Sequence, residues 1–322
     1  MKLSSLAAIP ARAHFVWFGQ QFPWVNVLAV RSAALRGGFD EVVLHHDSDL
    51  SASAHYRELA ETRGVTLRRL NMSEVLQRCE PHTEGLQELY DRLRTPQTRS
   101  DLARFAILYS EGGIYLDIDT VTVSNFARLL TGVSTFFGLE RIVYPADVRR
   151  SRDPRIRIPA YFRALLRDLL RRLPDGWKLF RRLEHLYPLA ANPAILAAAA
   201  RSPFIDRAIQ TMLSIPKQHQ TEPYVIGPHL LQRMAKEYQA TDVAVHGSDL
   251  FFPLGPEISQ HWFRIGGEVD LREVLTQQTC LVHWYASTLT RSVTPGIDPE
   301  YVRKHARSQL FSALALPFLA PA

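Results

Sequence analysis

Cysteine is scarce in this sequence, which has only Cys79 and Cys280 among its 322 residues. Two cysteines so far apart provide neither a disulfide framework nor the closely spaced ligands of a zinc site, so a reducing compartment is the default expectation. Long apolar runs are also absent. The most hydrophobic stretches, residues 189–200 and 311–322, are short and interrupted by proline, whereas a membrane-spanning helix needs about 20 apolar residues. The sequence therefore predicts no membrane-spanning helix.

Signatures of two common enzyme classes are missing too. The sequence contains neither G-x-G-x-x-G nor G-x-x-x-x-G-K-[ST], which disfavours a dinucleotide enzyme and a P-loop phosphotransferase. The first residues, MKLSSLAAIPARAHF, lack a basic region followed by an apolar core, so we expect no signal peptide and a soluble, cytoplasmic protein. Because 46% of the residues are hydrophobic, the chain can bury a large core, and we expect one domain over residues 1–322.

Residues 100–120 read SDLARFAILYSEGGIYLDIDT and carry the clearest functional signal. Side chains alternate between the two faces of a strand, so a strand through this segment places Tyr115, Asp117 and Asp119 on one face. Two carboxylates that converge at the end of an apolar strand repel each other unless a cation lies between them. Hard oxygen ligands favour Mg²⁺ or Mn²⁺, so we predict that Asp117 and Asp119 bind one of these ions.

The segment before this strand predicts a helix. Its apolar residues recur at helical spacing, with Ser100 or Thr98 as the N-cap and Gly112-Gly113 as the stop. Asp101 and Arg104 lie three residues apart near the predicted N-terminus and are therefore neighbours on the helix surface. They fit either a grip on a sugar hydroxyl and a phosphate or a charge pair that only caps the helix.

The motif S-D-L-x-R-x-x-x-L-x-x-x-G-G-x-Y-x-D-x-D, together with I-P-x-x-x-H-F-V-W-F-G at residues 9–19, resembles the DXD-containing sugar transferases. These include glycosyltransferase family 32, with its mannosyltransferases and globotriaosylceramide-synthase-like galactosyltransferases, and the catalytic domains of large clostridial glucosylating toxins. Weaker matches occur at residues 226–228 and 282–284. The resemblance implies a GT-A fold and a metal-dependent, retaining transfer of a sugar from a nucleotide-diphosphate donor.

The resemblance also implies a role for each matching residue at the nucleotide and sugar. The backbone of Val16 would hydrogen-bond the nucleotide base, and the indole of Trp17 would stack on it. Asp101 and Arg104 would contact the donor sugar and phosphate. On composition alone, Trp17 is equally consistent with a core aromatic residue, because stacking is only one use of its ring.

The remaining matched residues would hold the metal and close the site. The resemblance implies that Asp117 touches the ribose and a metal-bound water, and that Asp119 is a direct Mn²⁺ ligand. His283 would complete the metal shell and Trp284 would contact the donor, within a donor-closing segment at residues 281–322. A histidine after an apolar run is also typical of a buried imidazole with satisfied hydrogen bonds, and that alternative stays open.

Hydrophobic patterns predict an α/β fold with a mostly parallel sheet. The predicted strands are Ala13–Phe18, Glu41–His45, Thr66–Leu70, Gly113–Asp119 and Ser134–Leu139, and they alternate with helices at Val25–Gly37, Ser53–Arg63 and Asp101–Ser110. Such alternation is typical of Rossmann-like folds, in which ligands bind at the carboxyl ends of the strands. Asp117 and Asp119 occur at one of these ends.

Residues 141–185 differ from the rest, with thirteen basic and five acidic residues and a local net charge of +8. The whole chain carries +6, so the remainder carries −2. We predict that this region is a helical, arginine-rich insertion. Its segment 161–173, YFRALLRDLLRRL, predicts an amphipathic helix with leucines on one face. Segment 149–182 fits peripheral contact with the inner face of an anionic membrane or a phosphorylated acceptor lipid, or a solvated helix that packs its leucines on the domain.

Together these features predict a glycosyltransferase acting on a glycan, lipid or small-molecule acceptor, and no nucleic-acid partner. Two alternatives remain at this point. One is a non-catalytic relative that binds a sugar nucleotide or glycan. The other is a haloacid-dehalogenase-type phosphatase with Asp117 as nucleophile and Asp119 as acid and base. That chemistry needs a further acidic pair and a downstream lysine, and only Lys217, Lys236 and Lys304 follow residue 186.

Overall fold

A computed structural model of the chain describes residues 8–286 and 293–319. Nine strands lie within these residues. They are β1 (Arg12–Trp17), β2 (Glu41–His46), β3 (Val65–Arg69), β4 (Gly113–Leu116), β5 (Thr120–Thr122), β6 (Thr135–Arg141), β7 (Leu189–Ala198), β8 (Val243–His246) and β9 (Leu281–His283). Seven of them form one sheet in the order β3-β2-β1-β4-β7-β6-β8, and β5 pairs with β9 separately.

Most neighbouring strands of the large sheet are parallel. Strands β3, β2, β1 and β4 run in one direction, β7 is antiparallel to both of its neighbours, and β6 is parallel to β8. The predicted α/β class with a mostly parallel sheet is therefore confirmed, and the mixed sheet fits the GT-A class that the resemblance implied. The carboxyl ends of β1 and β4 lie at one edge, where a ligand site is expected.

The described helices follow the predicted alternation. They are α1 (Trp24–Arg36), α2 (Tyr56–Ala60), α3 (Met72–Gln77), α4 (Thr83–Arg92), α5 (Pro96–Glu111), α6 (Ala146–Arg150), α7 (Pro154–Arg172), α8 (Gly176–Leu183), α9 (Pro203–Ser214), α10 (Leu230–Glu237), α11 (Ser248–Phe251), α12 (Pro299–His305) and α13 (Leu310–Ala315). Helices α6 to α8 occupy the arginine-rich region between β6 and β7. No helix in the described ranges combines the length and apolarity needed to cross a bilayer.

Core residues pack on both faces of the sheet. In β4, Ile114 and Leu116 point into one hydrophobic cluster and Tyr115 into the other, which confirms the predicted alternation. A third cluster contains buried residues of α7, α8, α12 and α13 together with Trp262 and Trp284. The strand that leads to the candidate site is therefore fixed from both sides.

A buried histidine pair fixes the start of β4. The Nδ1 atom of His14 lies 3.0 Å from Nε2 of His45, and Nε2 of His14 lies 3.0 Å from the carbonyl oxygen of Gly112. Gly112 ends α5 with φ at 67°, a backbone conformation that favours glycine. The imidazole of His14 thus links β1 to the turn that connects α5 to β4.

Two predicted boundaries near the site were wrong. The strand expected to reach Asp119 ends at Leu116, because the chain turns there. Helix α5 begins at Pro96 rather than Asp101, and its N-cap is Thr95, whose side chain accepts a hydrogen bond from the backbone N–H of Thr98. Proline is favoured at the first helical position, since its fixed φ suits the helix and its missing N–H needs no partner there. Asp101 therefore lies beyond the first turn, where the helix dipole has little effect.

Candidate active site

A turn at residues 117–119 brings the two predicted acids together. The backbone N–H of Asp117 donates to the carbonyl of Ala194 on β7 at 2.8 Å, and the hydroxyl of Thr120 donates to the carbonyl of Asp117 at 2.7 Å. The chain then continues as β5. Convergence of Asp117 and Asp119 thus depends on this turn between β4 and β5, and not on the strand alternation that the sequence predicted.

Arg104 bridges Asp101 on α5 and Asp117 in the turn after β4. Its guanidinium donates to Oδ1 of Asp101 at 2.9 Å and to Oδ1 of Asp117 at 2.8 Å, and it lies 4.4 Å from the ring centroid of Tyr115. Burial alone would lower the pKa of Arg104, but Asp117, Tyr115 and Asp101 together raise it. The guanidinium is therefore a fixed positive charge between two carboxylates. The predicted pairing of Asp101 with Arg104 is present, and the link to Asp117 adds to it.

Asp101 is the more buried of the two partners of Arg104. Burial raises the pKa of Asp101 to about 6, although Arg104 opposes this change. A π-helical turn at Val225–His229 covers the carboxylate. A Cβ atom placed on Gly227 would lie 2.4 Å from Oδ1 of Asp101, so only glycine allows this approach. The weakly matching block at residues 226–228 is therefore part of the same site.

The pairing of β5 with β9 brings His283 to Asp119. Thr120 lies opposite His283 in this antiparallel pair, and Nε2 of His283 lies 3.0 Å from Oδ1 of Asp119. The backbone N–H of Ala286 donates to the other oxygen of Asp119 at 2.7 Å. Burial would lower the pKa of His283, but Asp119 raises it above its ordinary value. Burial would likewise raise the pKa of Asp119, but His283 keeps it below its ordinary value.

Asp117, Asp119 and His283 form a group that could hold a metal ion. Each offers one ligand atom, and these atoms all lie within 4.8 Å of one another. An ion with ligand distances of about 2.1 Å holds opposite ligand atoms about 4.2 Å apart. A small movement of the three side chains would therefore bring their ligand atoms to binding distance. The Nδ1 atom of His283 is buried without a hydrogen-bond partner among the described residues. Two carboxylates and an imidazole suit Mn²⁺ better than they suit Mg²⁺, which prefers oxygen ligands alone.

The two residues predicted to hold the nucleotide base lie at the end of β1. Val16 is buried, and Trp17 is partly exposed, with its ring edge against Phe22 at a centroid distance of 5.1 Å. Asp47 holds the following loop, because its Oδ1 accepts a hydrogen bond from the N–H of Gly19 at 2.9 Å. The structure places Val16 and Trp17 at the same edge of the sheet as Asp117. Their contact with a base stays a prediction.

Trp284 lies in the hydrophobic core. Its ring is fully buried and packs edge-on against Phe263 and Phe311, each at a centroid distance of 5.7 Å. Only its backbone reaches the site, where its N–H donates to the carbonyl of Asp119 at 3.0 Å. A donor contact by the indole therefore requires a rearrangement of this segment and stays a prediction. Parts of the predicted closing segment 281–322, residues 287–292 and 320–322, lie outside the described residues.

Three further polar residues form a hydrogen-bonded group next to His283, and the sequence did not indicate them. The carboxylate of Glu140 accepts hydrogen bonds at 2.7 Å from the hydroxyl of Tyr285 and from the side-chain amide of Asn192. Burial raises the pKa of Glu140. The ring of Tyr285 lies 3.9 Å from that of His283, and its backbone has a φ of 59°. These residues come from β6, β7 and the segment after β9, and no shared motif connects them in the sequence.

Parts of this chain match known proteins in sequence. Residues 11–135 match the family described as glycosyltransferase sugar-binding region containing DXD motif. A 50-residue segment is 46% identical to an uncharacterized glycosyltransferase of Acanthamoeba polyphaga mimivirus, and it covers 16% of this chain and 20% of that protein.

Two solved structures are also similar to this chain. The PaToxG glycosyltransferase is 15% identical with a TM-score of 0.47, covering 72% of this chain and 70% of its own. The galactosyltransferase LgtC, solved with donor and acceptor sugar analogs, is 13% identical with a TM-score of 0.47, covering 97% of each chain.

Proposed function

We propose that this chain, which carries a DXD-type glycosyltransferase sugar-binding region at residues 11–135, transfers a sugar from a nucleotide-diphosphate donor to a glycan, lipid or small-molecule acceptor. The observation that carries the proposal is the convergence of Asp117, Asp119 and His283 beside the pair of Asp101 and Arg104. The proposal includes Mn²⁺ or Mg²⁺ as cofactor and retention of the anomeric configuration, the latter from the family resemblance alone.

The roles of the residues follow from their charges. A divalent cation held by Asp117, Asp119 and His283 would supply a Lewis acid for the leaving diphosphate. Arg104 would add a fixed positive charge beside the same phosphates, and its Nε lacks a hydrogen-bond partner within the described ranges. Asp101, kept rigid by Arg104 and Gly227, would orient a hydroxyl of the donor sugar. Groups held in place before the reaction stabilise developing charge without the cost of reorganisation.

A cavity that shares the turn at Val225–His229 with this site is a candidate acceptor site. It has a volume of about 770 Å³ and is lined by residues of α6, α9, segment 215–222, the turn at Val225–His229, and α10. Its wall includes Gln232, whose side chain accepts a hydrogen bond from the N–H of Ala191, next to Asn192. The turn that covers Asp101 also lines this cavity. We propose that the acceptor reaches the donor sugar from this side.

The test combines donor hydrolysis with thermal unfolding in the presence of UDP-glucose, UDP-galactose, UDP-N-acetylglucosamine and GDP-mannose, with and without Mn²⁺. We expect one donor to stabilise the protein in a Mn²⁺-dependent manner. Asp119→Asn should remove this stabilisation and lower turnover by about a hundredfold or more. Asp40→Asn, which changes an exposed acid elsewhere, is the matched control. Arg104→Lys keeps the charge but loses the planar fork, so it should weaken donor binding while Mn²⁺ binding persists.

Other results would contradict this function. If no nucleotide sugar stabilises the protein while a phosphate ester is hydrolysed in Mg²⁺, Asp117 acts as a phosphatase nucleophile. If a nucleotide sugar binds but neither hydrolysis nor transfer occurs with any acceptor, the chain is a binding relative. NMR analysis of the first product formed from the identified donor distinguishes retention from inversion.

A further inference from the structure

Helix α7 exposes a row of large apolar side chains. Ile158, Phe162, Leu165, Leu169 and Leu173 are between 42% and 63% exposed. The first four are three or four residues apart on α7 and therefore share one face, and Leu173 follows directly after the end of the helix. We call these five residues the apolar stripe. Isolated exposed apolar residues are normal, but a continuous row on one helix indicates contact with an apolar partner.

The opposite face fixes the helix to the protein. Ala160, Ala164 and Leu170 are buried. Arg167 donates to the carboxylate of Glu257 at 2.9 Å, and Arg171 donates to the backbone carbonyl of Glu257 at 2.5 Å. The predicted amphipathic helix is therefore present, but its leucines divide between two faces. The packing of Leu170 on the domain accounts for only part of the apolar surface, and the apolar stripe faces outward.

Arginines without an ion pair occur along α7 and in the segment just before it. In the described part of the chain, no ion pair is formed by the arginines at positions 149, 150, 152, 155, 157, 163 and 172. The two acidic residues between positions 149 and 172 already have partners. Asp153 caps α7 by accepting the N–H of Arg155, and Asp168 pairs with Arg167. The surface thus combines exposed apolar side chains with uncompensated positive charge.

We propose that the apolar stripe and its arginines form a docking surface for an anionic lipid bilayer. A helix that lies in the membrane interface inserts its apolar face among the acyl chains while arginines contact the lipid headgroups. Anionic lipids supply the negative charge that the chain itself lacks here. A symmetric contact with a second copy would bring two arginine-rich rims together, and like charges at an interface are unfavourable. Docking of this kind does not depend on the proposed transfer reaction.

Vesicle co-sedimentation tests the proposal on the full chain. The probes are phosphatidylcholine vesicles with and without phosphatidylglycerol, at low and high salt. We expect binding only to the anionic vesicles, and weaker binding at high salt. Phe162→Glu and Leu169→Glu should each lower the partition coefficient by about tenfold. Arg155→Gln and Arg157→Gln should each lower it by about fivefold.

Matched controls separate this surface from general effects of charge and stability. Leu35→Glu and Ile265→Glu change equally exposed apolar residues elsewhere, and Arg303→Gln removes an exposed arginine of α12. These variants should bind like the wild type, and thermal unfolding should confirm that every variant is folded. Absence of binding to anionic vesicles, or equal losses in the control variants, would overturn the proposal. A dimer in sedimentation velocity that Phe162→Glu dissociates, without vesicle binding by the wild type, would instead assign the surface to a second copy.

Discussion

The buried histidine pair at the start of β4 should make the stability of this protein depend on pH. His14 and His45 are essentially inaccessible to solvent. The Nε2–H of His14 donates to the carbonyl of Gly112, so its Nδ1 must accept the Nε2–H of His45. This arrangement requires the ring of His14 to be neutral, because its Nδ1 must keep a lone pair to accept the hydrogen bond. Burial lowers the pKa of His14 to about 4 and lowers that of His45 well below its ordinary value.

The sign and size of the effect follow from linkage. Because the folded pKa of His14 is depressed, its contribution to stability is complete above the unfolded pKa of about 6.5 and is lost as pH falls toward the folded value. With folded and unfolded values of about 4 and 6.5, the loss from His14 alone between pH 7 and pH 5 is about 2 kcal/mol. His45 contributes with the same sign.

Urea unfolding of the wild type and His14→Gln at pH 7, 6 and 5 measures this contribution. Glutamine can still donate and accept hydrogen bonds but does not titrate. We expect the free energy of unfolding of the variant to fall by about 2 kcal/mol less than that of the wild type over this range. His185→Gln, which changes an exposed histidine, should leave the wild-type dependence unchanged. An identical pH dependence in wild type and His14→Gln would refute the assignment of a neutral, buried pair.

Two further predictions concern the site. Gly227→Ala places a Cβ 2.4 Å from Asp101, so it should destabilise the fold by about 1–3 kcal/mol and raise KM for the donor. Gly247→Ala, where the new Cβ meets no atom within 4 Å, is the control, and equal effects of both changes in thermal unfolding and donor titration would refute the argument. Tyr285→Phe removes a hydrogen bond to the buried carboxylate of Glu140, which should cost about 1–3 kcal/mol in urea unfolding; no change in stability would mean that this hydrogen bond contributes little.

Much of the fold was predictable because its signals are local. Alternating apolar residues and glycine stops identified the strands β1 to β4 and β6 and the helices α1 and α5, within a few residues at most ends. The predicted ends of helices and strands were wrong where another local feature set the point at which the element begins or ends. Pro96 and Thr95 start α5 earlier than Ser100 or Thr98 would, and the hydrogen bond from Thr120 to the carbonyl of Asp117 turns the chain before the predicted strand end.

The site was predictable only in part, for a physical reason. Asp101, Arg104, Asp117 and Asp119 lie within one segment of the sequence, so residue type and spacing could nominate them as candidate site residues. His283 reaches them only because β9 pairs with β5, and the sequence could nominate it through resemblance but not through spacing. No pattern in the sequence indicated Glu140, Asn192 and Tyr285. These residues are far apart in the chain, and the register of β6 with β7 and the path of the segment after β9 bring them together.

Residue type and spacing supplied the chemical groups of the candidate site and of the basic region: two acids after an apolar strand, an aspartate and an arginine one helical turn apart, and positive charge concentrated in residues 141–185. Long-range packing of the folded chain sets which of these groups come into contact and which face solvent. It buried Trp284 in the core, joined Asp119 to His283, and turned the apolar stripe of α7 outward. Residue type and spacing fix what a side chain can do, whereas long-range packing fixes what it touches.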